Sequence, residues 1–424
     1  MNNMRLIKKS VLAVTVALAS QQAVAAGFQL NAQSATGIGR AFAGDAVIAD
    51  NAAVMARNPA AMALFDSIEL SLGFEAIITD ISAKNVYYNG NRAEDYDDIG
   101  GTSIAPNIHV IVPVNDKFAW GASLYSNFGT NTDFSDSLSW SEYGGLTDVA
   151  SINLGLSGSY RLNNQWSFGA GIDLIYGTGE LKRNAGSGMC IVPGLNGNCS
   201  GPIEEGTSLV DADASGFGVG FNLGAVYELD DNNRFGLSYR YSPEIEAEGD
   251  VNGDSNGKLH LPLPDMAEFS GYHRIEDTKF AVHYSVQWIG WSAFDTLDAT
   301  VDGSKSPLNS YEWQDGWHYA VGGTYYLNSD WTLRAGYMYD TSAQDKITSV
   351  SVPDSDRQWF SAGFTYHIDT KSNVDFGFTY LMGDDVKVEE STDNPFALLP
   401  DISTISATTR ADAILVGLQY SRSF

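Results

Sequence analysis

The stretch FSAGFTYHI, residues 360–368, alternates bulky apolar residues with small or polar ones at a strict period of two. Such alternation predicts a β-strand with one apolar face and one polar face. The same pattern recurs around residues 151–160, 235–241, 280–288 and 373–382. Its polar face carries mainly Ser, Thr, Gly and Asn, where an ordinary solvent-facing strand would carry Lys and Glu. Small polar residues lining a lumen, with aromatic residues facing lipid, explain both faces, so the pattern predicts an antiparallel transmembrane β-barrel.

The connections between these segments alternate in length. Short turns rich in Asn and Asp lie at residues 115–116, 163–164, 231–233, 328–330 and 369–372. Longer polar or mixed connections are expected around residues 85–100, 131–146, 184–212, 249–262, 301–312 and 390–408. This alternation is typical of outer-membrane barrels, and counting the strands from residue 67 to residue 424 predicts about fourteen. The terminal Phe424 is typical of a last strand read by the barrel insertion machinery, although Arg422 replaces the usual aromatic residue.

The N-terminus has the features of a secretory signal peptide. Arg5, Lys8 and Lys9 precede an apolar run over residues 11–19, and Ala23 and Ala25 form an A-x-A cleavage site. The run is too short for a transmembrane helix, which needs about 20 residues. Residues 1–25 are therefore predicted to be removed, and export to the outer membrane of a Gram-negative bacterium, among lipopolysaccharide, is expected.

Charge and cysteine content restrict the partners. The net charge of −28 becomes about −31 once the three basic residues of the signal peptide are lost. A nucleic acid partner would require clustered Lys and Arg, so it is excluded. Cys190 and Cys199, the two cysteines of the chain, are expected to form a loop disulfide in an oxidising compartment. Metal binding by this pair is the weaker alternative, because no local His accompanies it.

Residues 26–66 do not alternate and are rich in Ala, Gly and Asn. A barrel of this size has a lumen too wide for strand side chains to fill, so the segment is interpreted as a plug, or hatch, inside the barrel over residues 67–424. A periplasmic extension is the alternative.

Catalytic motifs are absent from the sequence. No H-E-x-x-H motif occurs, and Gly155-Leu156-Ser157-Gly158-Ser159 lacks the last glycine of a nucleophile elbow. His109, His283, His318 and His367 all lie in alternating segments, where hydrogen bonding inside the lumen is the simplest role. No enzyme activity, metal or other cofactor is predicted.

Several motifs resemble the N-terminal signature of the FadL family of long-chain fatty acid transporters. They are Gly27-Phe28-Gln29-Leu30-Asn31, Gly37-Ile38-Gly39-Arg40-Ala41, Ala49-Asp50-Asn51-Ala52 and Arg57-Asn58-Pro59-Ala60. Further segments match in the same order, among them Pro106-Asn107-Ile108-His109 and Ser126-Asn127-Phe128-Gly129. The resemblance covers essentially the whole mature chain apart from its loops. It implies a fourteen-stranded barrel with a hatch and a kinked third strand that opens a gap in the wall.

The resemblance also implies roles for individual residues. It maps the kink to Gly129 and the hatch element to Asn58, Pro59 and Ala60, and it adds Phe28 to the ligand-binding residues. It maps a basic residue near a bound carboxylate to Arg183, where a guanidinium could hold the head group bidentately. Gln314 stands where family members often place a second cation, so Arg183 is expected to act alone or with His318. A lumen arginine without a ligand is the alternative.

Two long loops carry apolar residues that would form an outer groove for ligand capture. These are Phe134, Leu138, Trp140 and Tyr143 in one loop, and Met189, Ile191, Val192 and Leu195 in the other. Packing of the loops on each other is the alternative. Three functions stay open: a fatty acid transporter, which Arg183 favours, a relative that admits aromatic hydrocarbons, and a nonspecific barrel. A monomer is expected, and an outer-membrane hydrolase is a distant fourth.

Overall fold

The computed structural model describes residues 27–31, 33–134, 139–191, 199, 201–392 and 401–424. Among these residues, fourteen antiparallel β-strands form one closed sheet, which confirms the predicted barrel. Their bounds are β1 Glu69–Tyr88, β2 Thr102–Pro113, β3 Phe118–Tyr125 with Gly129–Asp133, β4 Leu146–Arg161, β5 Trp166–Asn184, β6 Ser208–Asp230, β7 Asn233–Tyr241 with Glu244–Val251, β8 Asp254–Pro262 with Met266–Arg274, β9 Phe280–Ile289 with Thr296–Val301, β10 Ser304–Ser310 with Gly316–Tyr326, β11 Trp331–Asp340, β12 Arg357–His367, β13 Ser372–Gly383 with Val386–Thr392, and β14 Ser403–Ser423. The last strand closes the barrel by pairing with β1, with Glu69 opposite Ser423. A two-residue strand, Asn91–Arg92, folds back on β1.

The two faces of the wall differ as the alternation predicts. Leu154 and Leu156 are more than half exposed on the outside of β4, whereas Asn153 and Ser157 are buried on its inside. Among the described residues, no helix is long and apolar enough to cross a membrane. The wall therefore offers apolar side chains to lipid and small polar ones to the lumen.

Two of the expected long loops are wrong. Residues 249–262 and 301–312 instead continue the strands as hairpins, with Val251 opposite Asp254 and Val301 opposite Ser304. The turns are Asn252-Gly253 and Asp302-Gly303, and all four residues have positive φ. Asn-Gly and Asp-Gly are the preferred residues of two-residue hairpin turns because both positions need φ above zero. The polar residues of these two stretches therefore belong to exposed strands and not to loops.

One long connection was missed. Residues 341–356, between β11 and β12, fold back into the barrel, where Val350 and Val352 are buried. The hydroxyl of Thr132 donates to the Ser351 carbonyl at 2.6 Å, which ties this connection to β3. The segment closes part of the lumen from the side of the long loops.

Strands β7 to β10 are all interrupted at one level of the wall. Met266 pairs with both Arg240 and Ile289, and Ile289 pairs with Gly316, so the four interruptions lie side by side. The third contains a 3-10 helix, Trp291–Ala293.

Beyond this level the polarity of the wall inverts. The inner face becomes apolar and the outer face charged; Ile245, Leu259, Leu261 and Leu297 are buried inside, whereas Glu246, Lys258 and Asp298 lie outside.

Residues 27–66, as far as they are described, lie almost entirely buried inside the barrel. They form α1 Ala35–Ile38, α2 Val54–Arg57 and a 3-10 helix, Pro59–Leu64. Their backbone N–H groups donate to inward side chains of the wall, as from Ala35 to Gln419 and from Ala52 to Ser71. Gly336 of β11 faces the Arg40 carbonyl so closely that a Cβ would collide with it. The predicted signal peptide lies outside the described residues.

Candidate ligand-binding site and wall opening

Strand β3 is interrupted at residues 126–128, and this interruption opens the wall. Its first segment pairs with β2 from Ile108 to Pro113, whereas its second segment pairs with β4. Residues 102–107 of β2 pair with β1 on their other side. Within the described chain, the link between β3 and this end of β2 is a hydrogen bond from Asp133 N–H to the Ile99 carbonyl, 3.1 Å long. A gap between the two strands therefore faces the lipid.

The start of the described chain binds to the interruption from inside. Gln29 forms an antiparallel bridge with Phe128, Leu30 N–H donates to the Asn127 carbonyl, and Gly129 N–H donates to the Phe28 carbonyl at 2.8 Å. Gly129 is not the break itself, because it is the first residue of the resumed strand. Its neighbour Thr130 faces the lumen, so alternation directs position 129 away from the lumen, where Gly129 is buried.

A small apolar cavity lies inside the inverted part of the wall. It is lined mainly by apolar side chains: Phe28, Val149, Leu181, Leu259, Leu261, Phe294, Leu297, Tyr311 and Val352, with Thr130, Thr147, Gly179 and Glu180. Phe28 packs against Trp291, Phe294 and Phe128, with ring centroids 4.6, 5.2 and 6.3 Å away. Such a lining favours the burial of apolar chains.

Sequence reasoning named Phe28 but missed the other aromatic residues of this cavity. Trp291, Phe294, Tyr311 and Trp313 lie in the interruptions of β9 and β10, where alternation fails. The available signal was the density of aromatic residues at 288–294 and 311–313, outside the period of two.

Arg183 lies at the end of β5 beside this cavity. Its guanidinium donates to the carbonyls of Leu146 and Lys182 at 2.6 and 2.7 Å and to the Thr147 hydroxyl at 2.7 Å. Thr147 itself lines the cavity, so the cation lies one side chain away from it. Hydrogen bonds to backbone carbonyls also give Arg183 a structural role in the β4–β5 hairpin.

The structure does not bring His318 to Arg183. His318 Nδ1 lies 3.2 Å from the Asn31 amide nitrogen and 3.0 Å from Gln287 Oε1, and its Nε2 lies 3.1 Å from Asp340. Gln314 is exposed and donates to the Ser342 carbonyl at 3.3 Å. The expected pairing of Arg183 with His318 is therefore wrong, because His318 belongs to a separate buried network that holds Asn31.

The connection over residues 341–356 anchors the first described residue. Asp354 Oδ1 accepts from Gly27 N–H at 3.3 Å and from the Arg357 guanidinium at 2.5 Å. Burial raises the pKa of the Asp354 carboxyl, and the Arg357 charge opposes that rise. The position of Phe28 is thus set by contacts on both sides of it.

The loop residues expected to form an outer groove take a different arrangement. Phe134, Trp140 and Tyr143 are buried with residues of β1, β13 and β14, and the Tyr143 hydroxyl donates to the Ser403 carbonyl at 2.8 Å. Met189 is buried outside this cluster and Ile191 is half-buried. Leu138, Val192 and Leu195 lie outside the described residues. The three aromatic residues therefore pack against the wall, which is neither the expected groove nor the packing of the two loops on each other.

Cys190 and Cys199 are joined by a disulfide in the other loop. The disulfide is a short-range cross-link within residues 185–207, the connection from β5 to β6.

Asn58 fastens the hatch to the wall. Its amide nitrogen donates to the carbonyls of Ala46 and Ala225 at 2.8 and 3.1 Å, and its oxygen caps the 3-10 helix at Ala60 N–H. Pro59 occupies the first turn of that helix, where its missing N–H is tolerated. These residues pack on β5 and β6, away from the wall opening.

One cluster outside the barrel has the composition of a metal site. Glu244, Glu246 and His260 bring potential ligand atoms within 4.8 Å of one another. However, His260 already contacts Glu244 and Thr300, and Glu246 pairs with Lys258 at 2.8 Å. The cluster is thereby accounted for as an ion-paired outer face.

A closed barrel with an apolar outer band, an enclosed apolar cavity and an opening toward lipid defines a class of protein: an outer-membrane β-barrel with an interior site. The chain matches the family model for outer membrane transport proteins (OMPP1/FadL/TodX) over residues 16–424. The chain belongs to this family and resides in the outer membrane of a Gram-negative bacterium.

Individual relatives agree with this assignment. The long-chain fatty acid transport protein of Escherichia coli K12 is 39% identical, over 92% of this chain and 95% of its own. Outer membrane protein P1 of Haemophilus influenzae Rd is 35% identical, over 99% of this chain and 100% of its own.

Solved structures share the fold. A FadL homologue of Pseudomonas aeruginosa has a TM-score of 0.82 at 22% identity, covering 94% of this chain and 100% of its own. The toluene transporter TbuX of Ralstonia pickettii has a TM-score of 0.65 at 18% identity, covering 92% and 98%.

Proposed function

We propose that the protein mediates passive uptake of long-chain fatty acids across the outer membrane. The observation that carries the proposal is the apolar cavity, whose Phe28 contacts Phe128 in the interrupted strand. The name of the Escherichia coli relative, a long-chain fatty acid transport protein, supports the choice of ligand. Ligand enters from the long-loop side, occupies the apolar cavity and leaves sideways through the gap in β3.

A lateral route avoids a large free-energy cost. An aqueous channel would expose the acyl chain to water at about 0.8 kcal/mol per methylene. A path from an apolar cavity through the wall into lipid keeps the chain out of water. Residues 26–66 act as the hatch, which closes the lumen to hydrophilic solutes while the ligand leaves beside it.

Arg183 recognises the carboxylate in this proposal. Its guanidinium lies beside Thr147 at the cavity lining, and bidentate arginine–carboxylate pairs are strong. Gln314 is exposed and His318 is engaged elsewhere, so Arg183 acts without either of them. The protein acts as a monomer surrounded by lipopolysaccharide after insertion by the barrel assembly machinery.

The proposal is tested in a host that lacks its own fatty acid transporter. Expression of the chain should restore growth on oleate and uptake of labelled oleate, whereas the empty vector should not. Absence of uptake, despite folded protein in the outer membrane, would contradict the function.

Uptake of aromatic hydrocarbons is the second candidate. The aromatic lining of Phe28, Phe294 and Tyr311, which Trp291 and Trp313 pack against, suits flat rings, because aromatic rings favour edge-to-face contacts. Toluene that competes with oleate for the cavity and enters cells as fast as oleate would favour this candidate.

A further inference from the structure

A second small cavity lies between the hatch and the wall, and its lining is polar where that of the first is apolar. The hatch contributes Gln33 and Arg57 to its lining, and the wall contributes Arg240, Glu268, Gln287 and Met266. We call it the polar cavity. The apolar cavity and the polar cavity give the interior two chemically different compartments.

Arg57 is more than nine-tenths buried and is incompletely bonded. Its Nη2 donates to Asn31 at 2.6 Å, and its Nη1 lies 3.4 Å from Glu268 Oε2. Its Nε has no hydrogen-bond partner among the described residues, although Asp45 Oδ2 lies 3.9 Å from it as an ion-pair partner. A buried donor without an acceptor costs about 1 to 3 kcal/mol, so this lining is suited to receive an acceptor.

Two further side chains of the lining, Gln287 and Arg240, differ in how strongly their hydrogen-bond donors are already engaged. The Gln287 amide nitrogen donates only to the Met266 sulfur, at 3.8 Å, which is a weak acceptor. Arg240, in contrast, is held by Asp173 and donates to the Ala56 carbonyl at 2.6 Å. Arg57 and Gln287 are therefore the groups that can turn to an incoming ligand oxygen.

The interrupted strand borders both cavities. The Gln33 amide, which lines the polar cavity, donates to Asn127 Oδ1 at 2.6 Å, whereas the adjacent Phe128 belongs to the apolar cluster. Met266 also belongs to that cluster while lining the polar cavity. An amphipathic molecule at the break would thus meet a polar compartment and an apolar one within two residues.

We propose that the polar cavity is a second binding site, which holds the carboxyl group of a fatty acid while its tail passes through the gap. Arg57 Nε and the Gln287 amide donate to the carboxyl oxygens. Because Glu268 and Asp45 already balance the charge of Arg57, the site holds a head group mainly by hydrogen bonds. This inference rests on the proposed uptake of fatty acids and adds a step after the apolar cavity.

The test replaces the ion pair without leaving a lone buried charge. The double variant Arg57→Gln/Glu268→Gln keeps the polar cavity neutral and of similar size. The matched control is Arg161→Gln/Glu228→Gln, since Arg161 pairs with Glu228 at 2.8 Å and donates to the Ala63 carbonyl, linking hatch and wall away from the polar cavity. Uptake of labelled oleate is compared with uptake of 1-octadecene, which has no carboxyl group.

We expect the double variant to take up oleate at least about tenfold more slowly than wild type, with 1-octadecene uptake unchanged. The control pair should leave both rates unchanged. Wild-type oleate uptake by the folded double variant would overturn the second site, as would an equal loss for both molecules, which indicates a packing defect. If wild-type protein itself fails to transport oleate, the proposed function fails first.

A crosslinking measurement needs no substitution. A fatty acid with a diazirine beside its carboxyl group should label peptides containing Arg57 or Glu268 in wild-type protein. Labels confined to the lining of the apolar cavity and the long loops would overturn the proposal.

Discussion

Arg183 and Thr147 decide how a carboxylate can be recognised beside the apolar cavity. The Arg183 guanidinium donates two hydrogen bonds to the carbonyls of Leu146 and Lys182 and one to the Thr147 hydroxyl. A ligand carboxylate must therefore take the place of a weaker, neutral acceptor. Thr147 is that acceptor, because it faces the cavity.

Arg183→Gln should weaken oleate binding by roughly 1.5 to 3 kcal/mol, the range for a hydrogen bond to a charged group. Oleyl alcohol should lose much less affinity. The matched change Thr147→Val frees the guanidinium and should leave oleate affinity equal or higher. Isothermal titration of the purified protein measures all three; equal losses for oleate and oleyl alcohol would mean that Arg183 only supports the hairpin.

Glu142 makes the packing of one long loop depend on pH. Its carboxylate accepts from the Tyr88 hydroxyl at 2.7 Å, and burial raises its pKa although this hydrogen bond opposes the rise. A carboxyl with a raised folded pKa favours the packed loop when protonated. That contribution is complete below the ordinary glutamate pKa of about 4.3 and is lost as pH rises through the folded pKa.

Residues 139–145 should consequently exchange amide hydrogens more slowly at about pH 5 than at pH 8, after correction for intrinsic rates. Glu142→Gln, which can still accept from Tyr88, should remove this difference. An unchanged pH dependence in the variant would assign the effect to another group.

The strands were predictable because alternation reports which side of a chain is apolar. It could not report whether that apolar face turns toward lipid or toward the lumen. On one side of the interruptions of β7 to β10 the apolar face of the strands contacts lipid. On the other side the apolar residues Leu259, Leu261 and Leu297 face the lumen. The inversion depends on three-dimensional register across four strands, as the pairing of Met266 with Arg240 and Ile289 shows. The apolar cavity was therefore not readable from the sequence.

The disulfide between Cys190 and Cys199 should stabilise its loop and not the barrel. A cross-link over so short a segment contributes roughly 2 to 3 kcal/mol by restricting the unlinked loop. Cys190→Ser/Cys199→Ser should therefore accelerate proteolysis within residues 185–207 while heat-modifiable migration stays unchanged. Loss of the folded barrel in this variant would show that the loop organises the wall.

The resemblance to a family placed the wall opening close to its observed position but on the wrong residue. Gly129 resumes the strand, and the interruption is Ser126 to Phe128. Sequence alone could not distinguish these positions, because the break is defined by partners elsewhere: Phe28 and Leu30 supply hydrogen bonds that β2 does not.

In the proposed function the hatch keeps the whole barrel closed to water. Its backbone binds inward side chains around the wall, including Gln419, Ser71 and Ser270. Deleting residues 27–66 should leave a folded barrel with a polar, water-filled lumen and raise permeability to small hydrophilic solutes. Liposome swelling with sugars measures this, and unchanged swelling by the deletion variant would mean that other segments seal the lumen.

The lateral route is tested most directly at Gly129, which resumes β3 beside the gap. Gly129→Trp should fill the gap without removing the Gly129 N–H bond to Phe28. The measurement is labelled oleate uptake by cells whose variant protein shows normal heat-modifiable migration and normal oleate binding. Uptake should fall to the level of the empty vector; uptake at the wild-type rate by the folded variant would contradict lateral exit and leave a path through the lumen past the hatch.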